Sequence, residues 1–202
     1  MNEELSAQIK FLIEVDKMKG ILRQTLVIDG TRRENDAEHS WHIALMALTL
    51  KGCVAFEVNA NRAIEMALIH DLVEIYAGDT FAYDKDGYAD KEIREREAAQ
   101  KLFSILPSSQ AEEFKSLWEE FEQMLTPEAL YAAAVDRLQP FINNCNTNWH
   151  TWMHHEVSKE QVLERMAPVA KALPQVWGYV EAELKRAENM GVFSHRIKDF
   201  AR

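Results

Sequence analysis

The chain of 202 residues is 47% hydrophobic and holds only 7 glycines and 5 prolines, a composition that fits one folded domain. Its formal net charge of -10 excludes the broad basic face that binding to nucleic-acid polymers or anionic membranes requires. A small anionic substrate is compatible with this charge, because one metal ion or one arginine can reverse the field locally.

The two cysteines, Cys53 and Cys145, lie far apart and form no CxxC pattern, which favours a reduced protein of the cytoplasm. The first ten residues, MNEELSAQIK, are acidic and lack the apolar segment of a signal peptide. No apolar run approaches the roughly 20 residues that cross a bilayer. We therefore predict a cytoplasmic protein with no membrane partner.

Apolar residues recur at helical spacing through almost the whole chain, and alternating strand patterns are scarce. In the first half, helices are predicted at about 3–20, 36–57 and 59–77, and a polar, arginine-bearing loop over 23–36 separates the first two. The helices predicted for the second half are a charged one over 90–106, one from a Ser109–Glu112 capping box to about Met124, one that begins at Thr126 and meets Pro140, one that begins at Ser158 with Gln161, and one over 174–191.

No repeat, low-complexity segment or linker interrupts this series of helices. The sequence thus predicts a single all-α domain over residues 1–202. Its motif core lies at about 20–145, and C-terminal helices at about 146–202 pack on that core.

Three polar groups interrupt the apolar helix that covers MALIHDLVEIYAGDT, residues 66–80: His70, Asp71 and Glu74. A buried carboxylate is costly unless it is paired or bound to a cation. Glu74 follows His70 by four positions and Asp71 by three, so on a helix it shares their face. The cluster indicates a metal ion with a carboxylate beside it, and a polar cluster at a helix end is an equal alternative on these residues alone.

Two further polar residues stand in apolar helices elsewhere. His39 opens the helix in NDAEHSWHIALMALTL, and Asp136 lies in ALYAAAVDRLQPF after three alanines that permit close helix approach. Pro140 lacks the N–H that would bond the carbonyl of Asp136, so the helix is perturbed beside that acid. An ion pair of Asp136 with Arg137 is the simpler alternative, but neighbours on a helix face different directions.

The ordered set His39, His70, Asp71 and Asp136 resembles the H…HD…D pattern of the HD-domain metal-dependent phosphohydrolases, which have an all-helical fold. RRENDAEHSWHIALMA, LIHDLVEIYAGDTFAY and DRLQP resemble the branch of the bacterial 5'-deoxynucleotidases and their relatives, and the likeness covers roughly residues 10–190. The resemblance implies a helical bundle with one metal site between its central helices, and these four residues as the metal ligands.

The resemblance further implies a phosphatase for nucleoside 5'-monophosphates that uses one divalent ion. Mn²⁺, Co²⁺ or Mg²⁺ is the first expectation and Fe²⁺, Ni²⁺ or Zn²⁺ the alternative, because mixed imidazole and carboxylate ligands suit first-row ions. A bound ion would acidify a water molecule and polarise the phosphoryl oxygen. Asp71 and Glu74 would be the catalytic residues, with Glu74 beside the ion to take or relay a proton.

Substrate contacts also follow from the resemblance. Arg23 matches an arginine that binds the phosphate, and Asp79 and Thr80 match positions that contact the sugar or the phosphate. Gln24 stands where the best-known bacterial branch has a tryptophan linked to exclusion of ribose, so a preference for deoxyribose is not implied. The resemblance also favours a homodimer.

Other functions of the same fold are weighed against this one. Two-metal oxygenases and cyclic-dinucleotide phosphodiesterases use extra histidines between the HD pair and the last aspartate, and no histidine lies between Asp71 and Asp136. A phosphohydrolase for another small phosphoester or nucleotide is one alternative. A non-catalytic, nucleotide-binding regulatory module is another, although Glu74 and the complete ligand set argue against it.

Several other polar residues have a simpler structural explanation. His42, three positions after His39, is expected to pack beside the ligand set and not within it. The remaining expectations are solvated histidines at a helix end (His150, His154, His155) and ion pairs of Arg32 and Arg33 with nearby acids (Glu34, Asp36, Glu38).

Overall fold

The computed structural model describes residues 2–84 and 86–194 and has the predicted all-α architecture. The α-helices of these residues are α1 (Glu3–Val15), α2 (Asp36–Leu50), α3 (Ala60–Ile69), α4 (Glu74–Ala77), α5 (Lys91–Phe103), α6 (Ser108–Gln123), α7 (Pro127–Asn146), α8 (His150–His154), α9 (Lys159–Arg165), α10 (Ala167–Ala172) and α11 (Pro174–Asn189). The end of the predicted C-terminal region, 195–202, lies outside the described residues.

The core is built around α7, which packs against α2, α3, α6 and α10. Ala132, Ala133 and Ala134 on α7 are at most 1% exposed, and their small side chains allow the neighbouring helices to approach closely. The helix continues through Pro140, whose missing N–H removes the hydrogen bond that the carbonyl of Asp136 would accept. Asp136 therefore lies in the middle of the bundle, on its most buried helix.

The loop predicted between α1 and α2 contains a β-hairpin that the sequence analysis missed. Strand β1 (Leu22–Leu26) pairs antiparallel with β2 (Arg33–Asn35), and Leu22 lies opposite Asn35 before an irregularity in the register. Gly30 in the turn has φ +72°, a conformation that glycine adopts without a Cβ clash. Because the strands are short and polar, they show no alternating apolar pattern.

Helix α2 begins at Asp36, as predicted, because Asn35 caps it. The Asn35 side chain accepts from the Glu38 N–H at 2.9 Å, and the Glu38 carboxylate accepts from the Asn35 N–H at 3.3 Å. This reciprocal pair is a capping box, and it fixes the direction in which α2 leaves the hairpin. The predicted end at residue 57 is wrong, because the helix ends at Leu50 and a single 3₁₀ turn follows it.

The helix predicted over 59–77 is divided into α3 and α4. Between Ile69 and Glu74 the chain forms tighter turns, in which the Glu74 N–H donates to the carbonyl of Asp71 at 3.0 Å. Such turns align side chains three positions apart. His70 and Asp71 therefore lie at the end of a helix and not within one, and Glu74 is aligned with Asp71.

The N-caps in the structure agree with most of the predicted helix starts. Three N-caps are confirmed: Asn59 for α3, Thr126 for α7 and Ser158, with a capping box to Gln161, for α9. The capping box predicted at Ser109 and Glu112 is wrong, because α6 begins after Pro107 without a side-chain cap. Helices α8 and α10 were not predicted, since five or six residues are too few to show a helical period.

Across residues 2–84 and 86–194, no helix combines the length and the apolar character that crossing a membrane requires.

Candidate metal centre and active site

The His39 ring is buried on α2 and is oriented by Gln139 of α7. His39 Nδ1 lies 3.0 Å from Gln139 Oε1, an oxygen that can only accept, so Nδ1 carries the proton. The Gln139 amide donates in turn to Glu34 Oε1 at 2.6 Å, which fixes the orientation of the amide. His39 Nε2 is thereby left with a free electron pair, the form of imidazole that binds metals.

His70 is oriented by the main chain of its own helix. Its Nδ1 donates to the carbonyl of Ala67 at 2.9 Å. Its Nε2 is buried and has no hydrogen-bond partner among the described residues. A buried nitrogen without a partner is costly, and this one presents the atom that a metal ion would use.

Two carboxylates face these two ring nitrogens. Asp136 Oδ1 lies 3.0 Å from His39 Nε2 and 3.6 Å from His70 Nε2. Asp71 Oδ2 lies 3.1 Å from His70 Nε2 and 3.9 Å from His39 Nε2. The structure thus brings together all four residues predicted as metal ligands, although they come from distant parts of the chain.

The two carboxylates attract a positive charge to this point. Burial opposes a charge on His70, but Asp71 and Asp136 outweigh it and raise the pKa of the imidazole to about 10. Burial is likewise outweighed at Asp71, where His70 and Arg23 lower the pKa of the carboxyl, and at Asp136, where the two nearby imidazoles lower it. A divalent ion would displace the imidazole proton, and two nitrogens with two carboxylates are ligands that fit it.

Glu74 lies beside the four residues, at the start of α4. It is 6% exposed, and its Oε2 has no hydrogen-bond partner among residues 2–84 and 86–194. Burial and the charges of Asp71 and Asp36 raise the pKa of Glu74 well above its ordinary value. Burial and Asp71 also raise the pKa of Asp36, whose carboxylate lies within 4.8 Å of that of Glu74, to about 6. These two carboxyl groups can therefore hold a proton next to the candidate metal centre.

The expectation that Asp36 pairs with Arg32 or Arg33 is wrong. Asp36 is fully buried, and its Oδ1 lies 3.2 Å from Arg23 Nη1. The same Arg23 nitrogen donates to Asp71 Oδ2 at 2.6 Å, so the hairpin places Arg23 between two acids of the site. Arg32 does pair with Glu38, at 2.7 Å, as expected.

The ion pairs expected for Glu34 and Arg33 are replaced by other contacts in the described residues. Glu34 bonds to Gln139 instead of an arginine. Arg33 donates to main-chain carbonyls of β1. Neither Asp36 nor Gln139 could be assigned to the site from the sequence, because neither stands next to its spatial partner in the chain.

A cavity of about 250 Å³ opens in front of these residues. Its wall includes every predicted site residue except His39. Asp79 follows Gly78, whose φ of +79° turns the chain towards the cavity, and burial raises the pKa of Asp79. The Thr80 hydroxyl accepts from Arg94 at 3.2 Å, which ties this loop to α5. The predicted substrate contacts at Gln24, Asp79 and Thr80 stay predictions.

Two arginines that the sequence analysis did not assign to the site also line the cavity. Arg165 of α9 lies 3.5 Å from Asp136 Oδ2. Arg137 directs Nη2 to Met124 Sδ at 3.2 Å, and in the described part of the chain it forms no ion pair with Asp136. Burial and the neighbouring Arg165 lower the pKa of Arg137.

The histidines that were expected to lie outside the ligand set do so. His42 Nδ1 lies 3.2 Å from the Gln139 amide nitrogen, beside the residue that orients His39. His150, His154 and His155 are exposed; along α8 the His154 ring stacks on that of His150, and it meets the His155 ring edge-on.

Comparison with known proteins agrees with this geometry. The family model of the HD domain matches residues 15–177. The zebrafish (Danio rerio) protein named 5'-deoxynucleotidase HDDC2 is 30% identical over 135 residues, 66% of each protein. The human protein of the same name is 30% identical over 132 residues, which are 65% of this chain and 63% of the human protein. The chain therefore spans less than two thirds of the length of these relatives.

Solved structures with a similar fold agree with this match. A protein of Magnetospirillum magnetotacticum, described as a "predicted metal-dependent phosphohydrolase", has a TM-score of 0.89 and 46% identity, with 94% of this chain and 95% of that one covered. An HD-domain phosphohydrolase of Listeria innocua shares the fold, with a TM-score of 0.56, 17% identity, and 89% and 85% covered. The chain belongs to the HD-domain family, and the resemblance stated from its sequence is confirmed.

Proposed function

We propose that this protein removes phosphate from nucleoside and deoxynucleoside 5'-monophosphates with one divalent metal ion. The observation that carries the proposal is the convergence of His39, His70, Asp71 and Asp136 at a cavity that also holds Glu74. The relatives named 5'-deoxynucleotidase support a nucleotide as the substrate. The mixed nitrogen and oxygen ligands suit divalent first-row ions such as Mn²⁺ and Co²⁺, and the family resemblance adds Mg²⁺.

When bound, the ion would acidify a water molecule and polarise the phosphoryl oxygen. Glu74 would take the proton of the attacking water and could share it with Asp36, a neighbouring buried carboxyl group whose pKa is also raised. The water oxygen bonds to phosphorus while the bond from phosphorus to the 5'-oxygen breaks, and the proton passes to that leaving oxygen. Arg23 would bind the phosphate while it orients Asp71.

A homodimer in the cytoplasm is part of the same proposal. Trp41, Leu45 and Leu48 are 64%, 44% and 49% exposed, and their spacing places them on one stripe of α2. A second copy of the chain would cover this apolar stripe. Both cysteines are free, as a reducing compartment requires.

Restoring single ions to metal-free protein tests the proposed function. Mn²⁺, Co²⁺ or Mg²⁺ should restore phosphate release from a panel of ribo- and deoxynucleoside 5'-monophosphates, measured as free orthophosphate. The panel also tests whether Gln24 admits ribose. Tight nucleotide binding without phosphate release under every ion would favour a regulatory module instead.

Arg23→Lys should lower kcat/KM by roughly 10-fold or more, because lysine keeps the charge but loses the two-pronged contact with phosphate oxygens. The lysine ammonium also lacks the several N–H groups in one plane with which the guanidinium of Arg23 can contact Asp71, Asp36 and a substrate at once. The loss should be equal for all bases, measured by steady-state kinetics on the nucleotide panel.

The matched control for this change is Arg32→Lys on the same hairpin, where the side chain is exposed and pairs with Glu38. It should keep wild-type kinetics. Wild-type kinetics in Arg23→Lys would refute the phosphate contact, and a loss that differs between bases would place Arg23 against the nucleobase.

A further inference from the structure

Helix α9 brings one arginine to the cavity from outside the sequence motifs. The Arg165 side chain is 27% exposed, and its one contact with a carboxylate among the described residues is to Asp136 Oδ2, at 3.5 Å. That distance is at the limit of a hydrogen bond. Since a guanidinium carries five N–H donors, most of the donors of Arg165 have no acceptor among the described residues.

Arg137 lines the same cavity with even weaker partners. Its Nη2 contacts the sulfur of Met124, which is a weak acceptor, and its Nε is buried without a hydrogen-bond partner among residues 2–84 and 86–194. By contrast, Arg23 is engaged with both Asp36 and Asp71. The side of the cavity formed by α7 and α9 thus holds two cations with few acceptors of their own.

Two guanidinium groups beside one cavity repel each other, and a buried donor without an acceptor costs free energy. An anion between them would offset the repulsion, and a phosphate can accept two parallel N–H bonds from one guanidinium. The position also fits the reaction. Asp136 directs Oδ1 to the two imidazoles and Oδ2 to Arg165, so an anion bound by Arg165 would lie beside the candidate metal centre.

We propose that Arg165, supported by Arg137, binds the substrate phosphate from the side of Asp136, while Arg23 acts from the side of Asp71. This proposal rests on the proposed function, since the phosphate is that of the nucleotide. It assigns a substrate-binding role to α9, which lies outside the HD motif residues.

The test is Arg165→Gln in the metal-loaded, full-length protein. The KM for a 5'-monophosphate and the inhibition constant of orthophosphate should both rise about 10- to 100-fold, the usual effect of losing a hydrogen bond to a charged group. Inhibition by the neutral deoxynucleoside should not change, because it carries no phosphate. Arg165→Lys should fall between Arg165→Gln and the wild type.

Lys159→Gln is the matched control, since Lys159 lies on the same helix and pairs with Glu188 on the surface. It should behave as the wild type. An unchanged inhibition constant for orthophosphate in Arg165→Gln would overturn the proposal. Loss of the metal ion, or an equal loss of affinity for phosphate and deoxynucleoside, would also overturn it, because Arg165 would then act on the shape of the site through Asp136.

The failure of the proposed function would be visible separately. If the wild-type protein hydrolyses no nucleotide, calorimetric titration of the metal-loaded protein with orthophosphate still compares the wild type with Arg165→Gln. Weaker phosphate binding in the variant would support the anion site, and equal binding would overturn it.

Discussion

Asp136→Ala should lose most of the bound divalent ion while the chain stays helical. Asp136 supplies one oxygen and one negative charge to a set of four ligands, and its Oδ1 lies within 4 Å of both imidazoles. Changes to residues that only support a metal ligand cost 10- to 100-fold in affinity, so removing a ligand should cost on the order of 100-fold or more. Alanine suits α7, which already has three alanines before this position.

Mass spectrometry measures the metal content of the variant, and far-UV circular dichroism measures whether it is still helical. Glu122→Gln is the control, because Glu122 is a carboxylate of the same cavity that belongs to neither of the two groups of clustered ligands, His39, His70 and Asp136 or Asp36, Asp71 and Glu74. It should retain the ion. If Asp136→Ala binds the ion as tightly as the wild type, Asp136 is not a ligand.

Glu74→Gln should retain the ion and lose roughly 10²- to 10⁴-fold in kcat, the usual contribution of proton transfer by a positioned side chain. Glutamine has nearly the same shape as glutamate but cannot take a proton from water. Glu74 lies next to Asp71 with one oxygen free of hydrogen bonds among the described residues, so it can reach a water molecule at the centre. Rates at saturating substrate and metal content are the measurements.

Glu95→Gln provides a matched control for this second expectation. Glu95 is also buried, and burial also raises its pKa, but it pairs with Lys91 and is not among the residues that line the cavity. Its variant should keep wild-type turnover per folded molecule. A Glu74→Gln protein that retains the ion and turns over at the wild-type rate would show that another group moves the proton.

The helical fold could be predicted because the apolar spacing and the caps of a helix lie within its own short segment of the sequence. The capped starts of α3, α7 and α9 show this, since each depends on residues within a few positions. The β-hairpin depends on pairing between two short polar strands, and no local pattern marks such pairing. The turn at His70 and Asp71 was not predicted either, because the residues around it have the apolar spacing of a continuous helix.

The candidate site shows the same division between local and distant information. The four clustered residues could be named because polar groups in apolar helices are unusual. Gln139 and Asp36 could not, since each looks ordinary in its own segment and gains its role from a partner far along the chain. Arg165 belongs to this second group, with its contact to Asp136 across 29 positions.

The wide separation of the clustered residues along the chain has a consequence for folding. His39 and Asp136 are 97 positions apart, and Asp71 lies between them on a third segment. An ion held by all of them would link segments that are far apart in the unfolded chain. It would therefore bind the folded state and not the unfolded one, and so would increase the free energy of unfolding. The supply of free ion would then set the fraction of molecules exposed to proteases as well as the rate of turnover, because both depend on one binding equilibrium.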